Sequence, residues 1–107
     1  MSTRRAKMVL MITIELTRFR VAPTSTEALL AARPAMLADF AADRTGFLGA
    51  ELVRLPGDEW LDIVTWADAA DLAASREKGA NLPGIAAFFG AIQALVTAEE
   101  GELAVPS

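Results

Sequence analysis

Three carboxylates and two indole rings are the side chains of this sequence best suited to chemistry. Alternation at a period of two places every second residue of a strand on the same face. By this rule one face of a predicted sheet carries Glu15, Glu51, Asp62, Trp60 and Trp66. Carboxylates held together away from water raise one another's pKa unless a cation pairs with them, and a raised pKa suits a general base. The pattern therefore predicts proton transfer by one of these carboxylates.

The same side chains also have a structural interpretation, which the sequence leaves open. The carboxylates can instead pair with arginines at the sheet rim or across a dimer interface, namely Arg18, Arg20 or Arg54. Trp66 can donate its indole N–H to a ligand carbonyl while its ring stacks on an aromatic substrate, or it can be a core or interface ring. Trp60 is expected mainly to pack within the hairpin.

Residue types that are absent narrow the chemistry further. The 107 residues include no His, no Cys and no Tyr. This excludes nucleophilic catalysis by His–Ser or His–Cys pairs and proton donation by a phenol, and it removes the usual side-chain ligands of zinc and haem iron. We therefore predict no cofactor, and no haem or transition metal bound through the protein's own side chains.

The composition indicates one small domain with more apolar residues than usual. Apolar residues make up 53% of the chain and charged residues 22%, which excludes a disordered tail protein. The excess predicts a second buried surface, either a homodimer interface or a ligand cavity. The net charge of −4 argues against nucleic acid as a partner. No apolar run is long enough to cross a membrane, so a cytoplasmic protein is expected.

The beginning of the chain is basic, because Arg4, Arg5 and Lys7 precede the first apolar run. The apolar run is too short for a secretory signal, and no small-residue cleavage site follows it. We interpret residues 1–8 as a disordered leader and residues 9–107 as a single domain, with Met8 as an alternative start.

Periodicity and turn residues predict the order strand, helix, strand, strand, helix, strand. The predicted strands run over Val9–Val21, Phe47–Leu55, Trp60–Trp66 and Glu102–Val105. The first helix begins at Ser25 or Thr26 and is kinked or split near Leu30 by Pro34. The second begins at Asp68 and stops near Gly79, and helical spacing resumes from Ile85 to Val96. This βαββαβ order is typical of the ferredoxin-like α+β fold with an antiparallel sheet.

A sheet of this kind carries its helices on one face. We expect the aliphatic face to lie under the helices, with Ile12, Ile14, Leu16, Leu52, Leu61 and Ile63. The opposite face carries two Trp, two Phe and two Val, and that much aromatic surface should not stay in water. The sequence therefore predicts a homodimer whose sheets face one another.

Three segments carry a resemblance to a known family: Ile14–Val21, Gly46–Glu51 and Trp60–Trp66. They resemble antibiotic biosynthesis monooxygenase domains, which belong to the dimeric α+β barrel superfamily, and the similarity covers residues 12–96. The resemblance implies a ferredoxin-like subunit in a dimeric α+β barrel. It also implies a function among cofactor-free oxygenases of polycyclic aromatic polyketides, haem-degrading oxygenases, cyclases and isomerases.

The resemblance implies functional positions as well. Quinone-forming oxygenases of the family place an Asn and a Trp on the third strand, a Tyr early in the next helix and an Arg further on. The matching residues here are Asp62, Trp66, Leu72 and Phe89, so the tryptophan is kept and the proton-transfer group is lost. The residues typical of the haem-degrading branch are not kept at their matching positions, Thr17, Ser75 and Ile85.

These features together predict a cofactor-independent monooxygenase of a small aromatic substrate. A carboxylate removes a proton, and the resulting carbanion reacts with O2. The alternative is a non-redox cyclase or isomerase, or a non-catalytic small-molecule-binding protein, on the same scaffold. Asp62 and Trp66 are the predicted catalytic residues, at the polar end of a pocket between sheet and helices. The predicted substrate-binding residues are Glu15, Thr17, Phe19, Glu51, Trp60 and Phe89.

Overall fold

Four strands and three helices follow one another along residues 11–104, the part of the chain that the computed structural model describes. The leader expected over residues 1–8 and the expected strand end at Val105 lie outside this part. The strands are β1 (Thr13–Arg20), β2 (Phe47–Arg54), β3 (Glu59–Trp66) and β4 (Ala94–Glu102). The helices are α1 (Thr26–Asp43), α2 (Ala69–Lys78) and α3 (Pro83–Gly90), with a 3-10 turn over Pro23–Ser25 before α1.

The strands form one antiparallel sheet in the order β2-β3-β1-β4. The central strand β1 pairs with β3 along its whole length, from Thr13 opposite Trp66 to Arg20 opposite Glu59. On its other side β1 pairs with β4, with a bulge between Arg18 and Phe19. The predicted ferredoxin-like α+β fold is therefore confirmed.

The helices cover the aromatic face of the sheet, so the predicted assignment of the two faces of β1 and β3 is wrong. Phe19, Trp60 and Trp66 are at most 3% exposed and pack with buried side chains of the three helices. The aliphatic residues of the opposite face are only half-buried: Ile12, Ile14, Leu16, Leu61 and Ile63. An aromatic ring buries about 150–250 Å², so a helix layer of limited size excludes more apolar surface from water when it covers the rings.

The β2–β3 hairpin is one residue out of register with the sequence-based pairing. Arg54, rather than Leu55, lies opposite Trp60. The loop is tighter because Gly57 and Asp58 both adopt positive φ, 73° and 62° respectively. Consecutive left-handed residues allow a short loop whose twist matches that of the strands.

Register decides which β2 side chains reach the helices, since a shift of one residue turns each side chain to the other face. Leu52 lies opposite Asp62 and packs against the core beneath the helices, as predicted. Glu51 lies opposite Ile63 and is exposed. The prediction that Glu51 shares a face with Asp62 is therefore wrong.

The helices begin and end largely where capping residues predict. α2 is capped by Asp68, whose carboxylate accepts the Asp71 N–H at 2.9 Å, and it stops before Gly79. Of the kink or split expected from Pro34, the split is wrong, because α1 continues through this residue. Pro34 and Leu30 are both exposed, so the carbonyl group that proline leaves without a partner faces solvent, where it need not disrupt the helix.

The last strand is longer and earlier than the sequence suggests. Helical spacing predicted a helix through Val96, yet α3 ends at Gly90 and the chain enters β4 at Ala94. β1 otherwise leaves an unpaired edge, and backbone N–H and C=O groups at that edge need partners. Pairing with β4 supplies them and outweighs the modest strand propensity of the Ala- and Glu-rich segment.

Gly84 marks the closest approach of α3 to α1. A Cβ at this position would lie 2.6 Å from the Ala35 carbonyl oxygen and 2.7 Å from Asp39 Oδ2. We expect Gly84→Ala to lower the free energy of unfolding by about 1–3 kcal/mol through overpacking. Gly90→Ala is the matched control, because the space around Gly90 is open. Equal urea midpoints for the two variants would contradict this packing.

Candidate functional site

A cavity of about 410 Å³ lies between the sheet and the helices, a volume in the range of small-ligand pockets. β1 and β3 form its floor, and all three helices and β4 contribute to its walls. Aromatic rings dominate the lining: Phe19, Phe40, Trp66, Phe88 and Phe89. The cavity therefore suits a flat, largely apolar ligand.

The rings around the cavity hold one another in place. The Phe40 and Trp66 rings meet edge to face with centroids 6.3 Å apart, and Phe19 and Phe88 do the same at 6.1 Å. Phe47 stacks behind Phe40 at 5.5 Å. Such contacts add to the area that the rings bury, so the aromatic walls are packed before any ligand binds.

Asp62 lies in the cavity wall, and Arg33 of α1 engages both of its oxygens. Arg33 donates from Nη1 to Oδ2 at 2.6 Å and from Nη2 to Oδ1 at 2.8 Å. Both side chains are 11% exposed, and the guanidinium also lies over the Phe88 ring at 5.1 Å. Asp62 is therefore ion-paired, and its partner is none of the three arginines considered from the sequence. Bidentate donation makes Asp62 a poor acceptor for a substrate proton.

Arg33 is a site residue that sequence reasoning missed, although a signal for it exists. The buried face of α1 is set by Leu29 and Met36. Arg33 stands four residues after the first and three before the second, which places it on that face. An arginine inside an apolar helix stripe needs a buried anionic partner, and Asp62 was the carboxylate on the facing strand.

Glu15 is the other carboxylate of the cavity wall. Its Oε1 accepts the indole N–H of Trp66 at 3.1 Å, and Arg76 Nε lies 3.8 Å from its Oε2. Burial raises the pKa of Glu15 above the ordinary value for a glutamate, an effect that the Trp66 hydrogen bond and the Arg76 charge partly offset. A carboxyl group with a raised pKa that faces a cavity has the properties of a general base.

Trp66 has a different partner from the one expected. Its N–H donates to Glu15 rather than standing ready for a ligand carbonyl, and its side chain is 1% exposed. The ring still lines the cavity and packs at 5.7 Å from Phe47. Trp66 thus orients Glu15 and forms part of the aromatic wall.

The structure brings most of the predicted site residues to the cavity. Its lining includes six of them: Glu15, Thr17, Phe19, Asp62, Trp66 and Phe89. Glu51 is turned to the other face by the hairpin register. Trp60 lies in the core at 3% exposure, beneath Arg54 at 5.0 Å. Neither Glu51 nor Trp60 therefore lines this cavity, and the site roles predicted for all eight residues stay predictions.

Arg44 is a second cavity residue that the sequence did not reveal. It follows α1 directly and is 5% exposed. Nε donates to Ser75 Oγ at 2.8 Å, Nη1 to Asn81 Oδ1 at 2.7 Å and Nη2 to the Gly79 carbonyl oxygen at 2.6 Å. These bonds tie the end of α1 to the end of α2 and fix one wall of the cavity. In the sequence Arg44 resembles an ordinary cation at a helix C-terminus.

The arginines considered as partners of the cavity carboxylates bind elsewhere. Arg18 and Arg20 both pair with Glu59, at 2.6 and 2.8 Å, and Arg54 lies over Trp60. Within one chain, these three arginines therefore do not neutralise the cavity carboxylates, and pairing across a dimer interface stays a prediction. Half-exposed pairs such as those on Glu59 add little stability.

Residues 11–104 contain no group of three or more His, Cys, Asp and Glu side chains placed to hold a metal ion. Over the same span, no helix combines the length and the hydropathy needed to cross a membrane.

The raised pKa of Glu15 predicts how stability depends on pH. The folded chain holds this proton more tightly than the unfolded chain, so the stabilisation is complete below the ordinary pKa of 4.5 and is lost as pH rises through the raised value. Glu15→Gln removes the titration. We expect the variant to gain stability relative to wild type as pH rises from below 4.5 through the raised pKa of Glu15. A difference in urea-unfolding free energy that stays constant over this range would contradict the burial of Glu15.

Fold and cavity together define a class of protein: a ferredoxin-like α+β domain with a small-molecule cavity between its sheet and its helices. Within that class the chain belongs to the antibiotic biosynthesis monooxygenase family, whose profile matches residues 11–81. The match spans β1 to α2 and so includes Glu15, Asp62 and Trp66. It confirms the resemblance seen in the sequence. No curated protein matches the chain.

Solved structures share this fold at low sequence identity. SnoaB of Streptomyces nogalater, a cofactor-independent oxygenase, is 24% identical with a TM-score of 0.57, over 91% of this chain and 95% of its own. A Bordetella bronchiseptica protein is 13% identical with a TM-score of 0.74, over 89% and 99% respectively. MupZ of Pseudomonas fluorescens is 18% identical with a TM-score of 0.67, over 84% and 70%.

Proposed function

We propose that the protein is a cofactor-independent monooxygenase in which Glu15 removes a proton from a flat, hydroxylated aromatic substrate. The observation that carries the proposal is Glu15 itself. It is a carboxyl group with a raised pKa, held by the Trp66 N–H in the wall of an aromatic-lined cavity. Membership of the family and the fold shared with SnoaB, a cofactor-independent oxygenase, support the proposal.

The proposed reaction needs no reactant other than the substrate and O2. Glu15 takes a proton from a ring CH2 group activated by a neighbouring carbonyl, which leaves an electron-rich carbanion. The carbanion reduces O2 and forms a C–O bond to it, and Glu15 returns its proton to the resulting peroxide anion. The hydroperoxide then loses water: its C–H and O–O bonds break, and the carbon forms a C=O bond. One CH2 group is thereby oxidised to C=O, and O2 is reduced to the carbonyl oxygen and one water.

The distribution of polar side chains supports one orientation of the ligand. Glu15 of β1 and Arg76 of α2 meet at one point of the cavity lining, whereas the ring of Phe89 contributes an apolar surface to it. The oxygen-bearing edge of the substrate then lies toward Glu15, and its hydrocarbon rings lie toward α3. Apolar walls exclude water from the carbanion, which favours reaction with O2 over reprotonation by solvent.

Oxygen uptake with a hydroxyanthrone, without added metal or cofactor, tests the proposed function. We expect uptake above the spontaneous rate, in a ratio of one O2 to one quinone formed. Glu15 can also move a proton without any oxidation. Proton exchange without oxygen uptake would therefore contradict the monooxygenase and favour the non-redox isomerase or cyclase.

We also propose that the sheet face turned away from the helices packs against a second copy of the chain. Ile14, Leu16, Leu61 and Ile63 form a continuous half-buried aliphatic patch on this face. Specific dimers bury about 1,200–2,000 Å² in total, which a flat sheet face can provide. The proposal keeps the predicted homodimer but exchanges the aromatic face for the aliphatic one.

We expect a dimer mass in light scattering at micromolar concentration. Leu61→Glu should shift the protein to monomer, because it places a charge in the aliphatic patch of each subunit. Ala31→Glu is the matched control, since it adds the same charge at an exposed position of α1. A monomer mass for wild type would contradict the interface, as would unchanged dimerisation of Leu61→Glu.

A further inference from the structure

Arg76 spans the gap between α2 and the sheet at the polar part of the cavity. Its Nη1 donates to Glu100 Oε1 of β4 at 2.9 Å, and its Nε faces Glu15 Oε2 at 3.8 Å, too far for a hydrogen bond. The side chain is 46% exposed and lines the cavity. Glu100 therefore anchors the guanidinium, while its other edge is directed toward Glu15 and the cavity.

The two other arginines near the cavity already use their N–H donors in hydrogen bonds within the protein. Arg33 gives both Nη groups to Asp62, and Arg44 is bound to Asp43, Ser75, Gly79 and Asn81. For Arg76 the described residues provide one hydrogen bond, that to Glu100. Arg76 thus retains N–H donors that a bound ligand can use.

We infer that Arg76 is a catalytic residue, which binds the oxyanion formed when the substrate gives its proton to Glu15, and that Glu100 is its positioning residue. The inference rests on the proposed function. Proton transfer neutralises Glu15 and places a negative charge on the substrate oxygen, so the total charge of the site is unchanged. The guanidinium, which faces Glu15 before the transfer, is then opposite the new anion without reorganisation. A cation already in position where charge develops is an effective form of electrostatic catalysis.

The charged groups that Arg76 faces are Glu15 on β1 and Glu100 on β4. Asp62 on β3 acts electrostatically on Glu15, and its charge is compensated by Arg33. An anionic ligand beside ionised Glu15 is repelled, so the oxyanion site is best measured after Glu15→Gln has removed that charge. The remaining Arg76–Glu100 pair then offers its free donors to an anion.

The test is an absorbance titration of a nitronaphthol, whose phenolate form absorbs visible light, bound to Glu15→Gln. We expect Glu15→Gln to bind the phenolate at least about tenfold more tightly than Glu15→Gln/Arg76→Gln does. Neutral nitronaphthalene should bind both proteins equally, which a merely structural role of Arg76 would not predict. Glu100→Gln in the same background should weaken phenolate binding by a smaller factor. Glu15→Gln/Arg54→Gln removes a similar charge outside the cavity and should leave the phenolate preference unchanged.

The outcomes separate this inference from the proposed function. Equal phenolate affinity with and without Arg76, while nitronaphthalene still binds, would overturn the role of Arg76 alone. An equal loss of phenolate affinity in the Arg54 variant would also overturn it, because the effect would then be one of net charge. Failure of Glu15→Gln to bind nitronaphthalene would overturn both, because the cavity would not be an aromatic site.

Discussion

Glu15→Gln is expected to lower kcat for oxygenation of a hydroxyanthrone by about 10²–10⁴-fold. A glutamine has the same shape, and its amide oxygen can still accept the Trp66 N–H, but it cannot take up the substrate proton. Initial rates of oxygen uptake at several substrate concentrations give kcat and KM separately. A loss in kcat with little change in KM assigns the effect to the chemical step rather than to binding.

Glu51→Gln provides the matched control for this experiment. Glu51 was also predicted to be a site residue, but the hairpin register places it on the face away from the cavity. Its replacement should leave kcat within about twofold of wild type, because Glu51 lies outside the cavity and glutamine keeps its size. Equal losses in the two variants would contradict the assignment of Glu15 as the base.

Arg33→Met is expected to cause the largest loss of stability, about 3–5 kcal/mol. The variant leaves Asp62 without its bidentate partner at a position where the side chain is 11% exposed. Methionine can fill much of the volume of the arginine stem next to Phe88, so the loss reports mainly on the unpaired charge. Urea unfolding followed by tryptophan fluorescence measures it, because Trp60 and Trp66 are both buried.

The double variant Arg33→Met/Asp62→Leu separates the ion pair from the packing around it. Replacing a whole buried pair by apolar side chains is often neutral or stabilising, so the double variant should recover most of the stability that Arg33→Met loses. Such a coupling is expected for residues in direct contact. Additive losses in the two single variants would show that the pair is not the source of the effect.

Much of the fold was predictable because it depends on local patterns. The alternation of β1, the Asp68 cap of α2 and the turn at Gly57 each follow from nearby residues, and together they specify the βαββαβ order. The faces of the sheet were not predictable in this way. Both faces of β1 and β3 carry large apolar side chains, and which of them the helices cover depends on the packing of all three helices. The hairpin register depended on Asp58, a residue other than glycine that adopts positive φ.

The sequence predicted most of the residues that line the candidate site, but not which of its carboxylates pairs with an arginine. Strand parity brought Glu15, Asp62 and Trp66 together correctly. Which carboxylate is free to accept a proton depends on where Arg33 reaches from α1, a contact between residues 29 positions apart. The family resemblance favoured Asp62 because its position matches a functional one. The structure favours Glu15 because its pairing and burial leave it able to accept a proton.

Exchange of the hydroxyanthrone CH2 protons with D2O in the absence of oxygen shows whether Glu15 removes the substrate proton. The measurement isolates removal of the proton from the later reaction with O2, and proton NMR follows it on the substrate itself. Wild type should accelerate exchange above the buffer rate, Glu51→Gln should match wild type, and Glu15→Gln should exchange at close to the buffer rate. Exchange by Glu15→Gln at the wild-type rate would contradict the claim that Glu15 is the base.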